Sequence, residues 1–214
     1  MEFSFVSGDP ALDLAATVGY RRTEPVDLLK GPADLERWVS ACDGLPAEVA
    51  ADLASFDTAI TLREAVYRLA LARTRGDPFD PADVEVLNVT ANGPALALEL
   101  VDGGMRITGG IRAALAHVAR SGITVLAAAP TPSTANQTAA NQTAAAPAAT
   151  SPAANSSSST TTPPAAPIKE CARPDCTRLY LDRSRGARRT WCGMSECGNR
   201  VKAAAYRARR RAAG

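Results

Sequence analysis

Four cysteines in the last quarter of the chain offer the clearest chemistry. Cys171-Ala-Arg-Pro-Asp-Cys176 is answered, after a spacer of fifteen residues, by Cys192-Gly-Met-Ser-Glu-Cys197. Two short cysteine pairs spaced in this way suit a tetrahedral ion, because each pair can turn its sulfurs to one side while the spacer folds back. With sulfur in all four positions no place is left open for a water, and no neighbouring His or Glu is set to act as a base. The expectation is one structural Zn2+ held by Cys171, Cys176, Cys192 and Cys197, with an iron–sulfur cluster as the other ion chemistry that four thiolates allow.

The elements that must hold those sulfurs follow from the residues around them. Thr177-Arg-Leu-Tyr-Leu-Asp182 and Arg189-Thr-Trp-Cys192 are rich in strand formers, and Arg183-Ser-Arg-Gly-Ala187 between them reads as a turn, which predicts a β-hairpin inside the finger. Beyond Cys197 the chain is dominated by Ala and Arg, both strong helix formers, and a helix starting near Ser195 is expected. Arg200, Arg207 and Arg211 share a face of that helix, while Arg188, Arg189, Lys202, Arg209 and Arg210 broaden the basic surface. Guanidinium groups grip phosphates and pair with guanine O6 and N7; Asn199 suits an adenine edge or a local backbone bond. These are the candidate nucleic-acid contacts, weighed against a solvated basic tail. Tyr180 and Trp191 read as apolar filling beside the metal.

The net charge of +2 conceals two poles. Residues 168–214 hold thirteen Lys and Arg against four Asp and Glu, a net +9, whereas residues 1–129 hold eleven against eighteen, a net −7. Four thiolates and a divalent ion leave the finger at about +7, enough to attract a polyanion. The acidic part would weaken non-specific sticking and could fold back on the finger.

Cys197-Gly-Asn-Arg200, preceded by Arg188-Arg-Thr-Trp-Cys192 and followed by Lys202, Tyr206 and an Arg-rich tail, resembles the CGNR zinc-finger family of bacterial proteins over residues 168–214. Phe3-Ser-Phe-Val-Ser-Gly8 with Leu12-Asp-Leu-Ala-Ala-Thr17 resembles the opening of the ABATE domain that commonly precedes this finger. The resemblance implies an α/β regulatory domain, a stress-response role in transcription regulation, and DNA as partner. Ala16 stands where the resemblance implies Asn, so a ligand or hydrogen-bonding role of that Asn does not carry over.

In the first 128 residues, residues 2–7 alternate as a short strand and Asp9-Pro10 opens a helix, with Asp9 as N-cap. The same grammar recurs at Gly31-Pro-Ala-Asp34, Leu45-Pro-Ala-Glu48 and Asp80-Pro-Ala-Asp83. Leu62, Val66, Leu69 and Ala70 form an apolar stripe on a helix expected over about residues 57–74, with Arg63, Glu64 and Arg68 off that stripe. A hairpin is predicted around Asp102-Gly-Gly104, followed by a helix over 110–126 with Ile111, Leu115 and Val118 inward. The fold class is therefore α+β: a helix-rich domain over 1–128 with a small hairpin sheet, and a small treble-clef or zinc-ribbon-like finger over 168–214. Cys42 reads as a buried structural thiol, His117 as a surface residue, and Asp9 and Asp13 as capping and solvated carboxylates.

From 129 to 167 the composition shifts to Ala, Thr, Ser, Pro, Asn and Gln, with Ala135-Asn-Gln-Thr-Ala139 repeated at once as Ala140-Asn-Gln-Thr-Ala144. Such a stretch buries too little to order itself, so a disordered linker is expected, its ends about 35 Å apart and the finger tethered and mobile. The absence of a phosphate loop, a nucleophile elbow and paired histidines predicts no enzyme. No apolar run approaches a bilayer span and no secretory signal opens the chain, which predicts a cytoplasmic protein with no membrane partner. The function expected is zinc-dependent DNA binding in transcription regulation, with a small-molecule or protein ligand for the first domain. RNA binding, or protein recruitment by the finger, is the alternative.

Overall fold

The computed structural model describes residues 2–130 and 166–212. Asp9 accepts from the Ala11 amide at 2.9 Å and Pro10 sits in the first turn, which starts α1 (Pro10–Ala15) as the sequence predicts. Gly31-Pro32 likewise starts α2 (Pro32–Ala41), and Asp80-Pro81 starts α4 (Pro81–Ala91). The longest helix, α3 (Leu53–Arg75), begins a turn earlier than its apolar stripe, because Asp52 accepts from the Ser55 amide at 2.8 Å; it ends on Gly76 at φ 77. No helix follows Leu45-Pro-Ala-Glu48. There the Ala51 amide donates instead to the Glu36 carboxylate on α2 at 2.7 Å.

β1 (Val18–Gly19) and β2 (Val26–Asp27) form a minimal antiparallel pair. β3 (Ala97–Val101) and β4 (Gly104–Thr108) form the predicted hairpin. Its register puts Leu98 opposite Ile107 and Leu100 opposite Met105 on one face, and most of that face is open, Leu100 being 92% exposed. α5 (Ile111–Ala128) buries Ile111, Leu115 and Val118 as expected and leaves His117 exposed. This helix has the length and mean hydropathy to cross a bilayer, yet half of it is buried among its neighbours, as befits a core helix.

The core gathers α1, α3 and α5, with α2 and α4 packed on α3. α5 crosses α1 at Gly122, where an added Cβ would come within 3.1 Å of the Ala11 methyl. Trp38 and Cys42 are buried beside this core. Burial, then the negative charge of Asp13, pushes the Cys42 thiol up to about 12, which fits an inert packing thiol.

β5 (Ile168–Glu170) and β6 (Leu179–Leu181) pair antiparallel, and here two expectations change. β6 is one of the predicted strands, but its partner precedes the first cysteine; residues 189–191 form no strand, and their backbone–backbone bonding is limited to the Ala172 amide donating to the Thr190 carbonyl. The hairpin thus brackets Cys171–Cys176 rather than the spacer. It is also not held merely by a tether. Ile168, Leu179 and Leu181 are buried in the same core as α1 and α3. Residues 2–7 form no regular strand, yet the Leu181 amide donates to the Ser7 carbonyl at 2.8 Å. Ala129 is buried and Ala166 half-buried against this core. The rest of the expected linker, 131–165, lies outside the described residues.

Candidate metal centre and basic helix

The hairpin builds half of the sulfur site. Cys171 follows directly on β5, its amide donating to the Arg178 carbonyl at 3.0 Å, and the Cys176 amide closes a turn on the Arg173 carbonyl at 2.9 Å. The second pair sits on a wide turn. The amides of Cys197 and Gly198 both donate to the Gly193 carbonyl, at 3.1 and 3.0 Å, giving a π-type turn over Met194–Gly198 that swings Cys197 inward before the next helix begins.

The four Sγ atoms lie within 4.8 Å of one another. Cys176 and Cys192 sulfurs are 3.9 Å apart, and those of Cys192 and Cys197 are 3.6 Å apart. A tetrahedral ion bonded to sulfur at about 2.3 Å requires an edge of about 3.8 Å, so the donor set fits. Thiols from Cys176 and then Cys192 bond to the Cys171 sulfur and hold its pKa far below the usual range. The same contacts push Cys176 up to about 12 and Cys192 higher still, with Cys171 the largest cause for each. Four thiolates this close would repel one another, and a bound cation would let all four ionise by neutralising them.

Tyr180 lies beneath the sulfurs, fully buried, with Trp191 half-buried beside it. Burial, then the Asp182 charge, pushes the Tyr180 phenol up to about 12; its hydroxyl donates to the Arg189 carbonyl at 2.8 Å. Asp182 is itself buried, but Lys169 at 2.8 Å and the Ser184 hydroxyl and amide outweigh that burial and hold its carboxyl below its ordinary range.

The final helix, α6 (Asn199–Ala212), makes its main contact, among the elements described, with the π turn. Asn199, Arg200, Lys202, Arg207, Arg209, Arg210 and Arg211 are all exposed on it, and Arg188 is exposed on the preceding loop. Arg189 is committed inward. Its guanidinium donates to the Trp191 carbonyl at 2.7 Å and the Val6 carbonyl at 3.0 Å, and lies 4.5 Å over the Tyr180 ring. Local sequence gives no sign of this, because Val6 is 183 residues away.

Other charged residues prove structural where patterning placed them outside. Arg63 is buried, paired to both Asp27 oxygens at 2.7 and 2.9 Å and to Glu64 at 2.9 Å, which anchors β2 on α3. Arg21 bonds Glu64 at 2.6 Å, while its amide donates to the Thr177 hydroxyl beside the knuckle at 3.2 Å. Arg22 pairs with Glu170 on β5. Asp13 is not solvated. It is 7% exposed and accepts from the Ser7 amide at 2.9 Å.

Between β1 and the knuckle lies a cleft of about 210 Å³, with Ala16, Val18 and Leu28 in one wall and the sulfur-site residues Cys176, Cys192 and Cys197 in the other, so it is the open side of the candidate metal site. Tyr20, which also lines it, adopts φ 55, a left-handed conformation uncommon outside glycine.

Residues 8–190 match the family model ABATE, described as a putative stress-induced transcription regulator. The match runs from the start of α1 through the first cysteine pair, and the four clustered cysteines fit a CGNR zinc finger. No curated protein matches the chain.

Proposed function

Because this chain belongs to the ABATE family, we propose that it is a cytoplasmic, non-enzymatic regulator of transcription whose zinc-held finger binds DNA through α6. The supporting observation is α6 itself, a helix that buries almost nothing, presents Arg200, Lys202, Arg207, Arg209, Arg210 and Arg211 to solvent, and is set by the turn that carries Cys197. Zinc is the favoured ion because the sulfurs fit a tetrahedron and fill every position, which suits a structural role. It neutralises the thiolates and stiffens the knuckle and π turn, while the residues of α6 meet phosphates. The charge separation between the acidic first 129 residues and the basic end favours one polyanion-binding pole.

The test is a gel-shift titration of the full chain on duplex DNA, with and without chelator, over a range of salt. Chelator-sensitive binding whose affinity falls steeply with salt is expected. Preference for structured RNA, or capture only of a protein from nuclease-treated extract, would replace DNA as the partner; binding indifferent to chelator and salt would remove the reading.

A further inference from the structure

α6 carries a single aromatic side chain, and that side chain stands in water. Tyr206 is 56% exposed, whereas the other aromatic groups of the finger, Tyr180 and Trp191, are buried and half-buried beside the sulfurs. At 3.6 residues per turn, Lys202 and Arg210 lie about 40° to either side of Tyr206 around the helix axis, and Arg209 about 60° away. The ring is thus the middle of a face whose edges are cations. All four residues are exposed, and none of the three cations pairs with a carboxylate among the described residues.

A different face of α6 turns towards the knuckle. Arg200, Ala204 and Arg207 border a groove there together with Arg173 and Asp175. The Asp175 carboxylate on that side opposes phosphate, and Arg173 is already held against the Cys197 sulfur at 3.9 Å and over the Tyr20 ring at 5.6 Å. Lys202, Tyr206, Arg209 and Arg210 take no part in lining the groove. The side of α6 that stands clear of the knuckle therefore carries the ring with its cations, and Arg200 and Arg207 are left at the groove's rim for phosphate.

We propose that Tyr206 is the base-reading residue of α6, its ring packing on a thymine methyl in the major groove while Lys202, Arg209 and Arg210 hold the flanking phosphates. This role rests on α6 binding duplex DNA and names the base that the helix recognises. The 14 residues of α6 span about 21 Å, and a helix about 10–12 Å across fits a major groove about 12 Å wide. The C5 methyl of thymine is the apolar group that a base pair shows in that groove, and it suits an aromatic ring brought in by cations. Contacts to phosphate carry no sequence information directly. An uncharged ring among them adds a contact that differs from one base pair to another.

The test selects duplexes from a random pool with the full-length, zinc-loaded chain and with Tyr206→Ala, a variant expected to melt like the parent because Tyr206 is exposed and Ala favours helix. The parent should fix a thymine that the variant leaves free. In gel-shift titrations of the parent's selected duplex, uracil in place of that thymine should weaken the parent about fourfold, the worth of one buried methyl. The same change should leave Tyr206→Ala unaffected, and Tyr206→Phe should keep the thymine preference. The salt slope should be the same for the parent and Tyr206→Ala, since the ring is uncharged, and should fall by about one for Lys202→Ala. Equal loss on uracil for the parent and Tyr206→Ala, or no loss for either, overturns the role of Tyr206, while steep salt dependence in the same titrations keeps the DNA reading. An unchanged slope for Lys202→Ala overturns the placing of this face on the duplex. A parent that selects and binds no duplex removes both readings.

Discussion

The Leu181 amide donates to the Ser7 carbonyl at 2.8 Å, joining the strand that leaves the cysteine knuckle to the segment that enters α1. Gly8 follows at φ 83, with Leu181 packed 3.6 Å from where a Cβ would stand. Leu181 is 5% exposed in the shared core. Truncation to Ala should thus cost about 2–4 kcal/mol of the stability of the whole fold, not of the finger alone. Thermal denaturation followed by both far-UV and Trp38-weighted near-UV signals checks this: one shared, lowered transition is expected, and an unchanged first-domain transition would contradict a common core.

Metal removal should spread along the same route. Cys171 sits at the end of β5, and β5–β6 is packed on α1 and α3. Stripping the ion, or replacing Cys176 by Ser, is expected to lower the melting temperature of the full chain and not merely to fray α6. A structural tetrahedral site contributes folding free energy directly. Metal content by elemental analysis, measured alongside melting, should show one zinc per chain in the parent and less in the variant.

Arg189 and Arg207 should separate stability from binding. Arg189→Ala removes two hydrogen bonds to carbonyls and the guanidinium over Tyr180, and should destabilise by about 1–3 kcal/mol. Arg207 is exposed with no salt bridge among the described residues. Arg207→Ala should leave melting unchanged and reduce the salt slope of DNA binding by about one. Melting curves and gel shifts on both variants would expose a reversal.

Asp13 predicts a pH dependence. Burial, opposed by its bonds from Ser7 and by the Arg178 charge, and reinforced by Asp9, raises its pKa from 3.8 to about 6. The folded state therefore binds the proton more tightly than the unfolded chain. The cost of a charged Asp13 is complete above about pH 6 and is relieved as pH falls towards 4. Asp13→Asn keeps an oxygen for the Ser7 amide and should stabilise at pH 7 by up to about 3 kcal/mol, with the gain vanishing near pH 4. Melting temperatures across that range measure it; a gain that grows on acidification would refute the assignment.

The sequence by itself determined whatever depends on near neighbours. Asp9-Pro10 and Asp80-Pro81 fixed two helix starts because a carboxylate and a proline act within one turn. The cysteine spacing fixed the sulfur set, and Asp102-Gly-Gly104 the β3–β4 hairpin, since both need only short loops. Tertiary structure decided the partner of β6, the burial of Arg63, the inward turn of Arg189 and the merging of β5–β6 with the α1–α3 core. Each of these joins residues far apart in the chain, as Val6 is from Arg189, and charge or periodicity along a segment carries no record of what it will meet there.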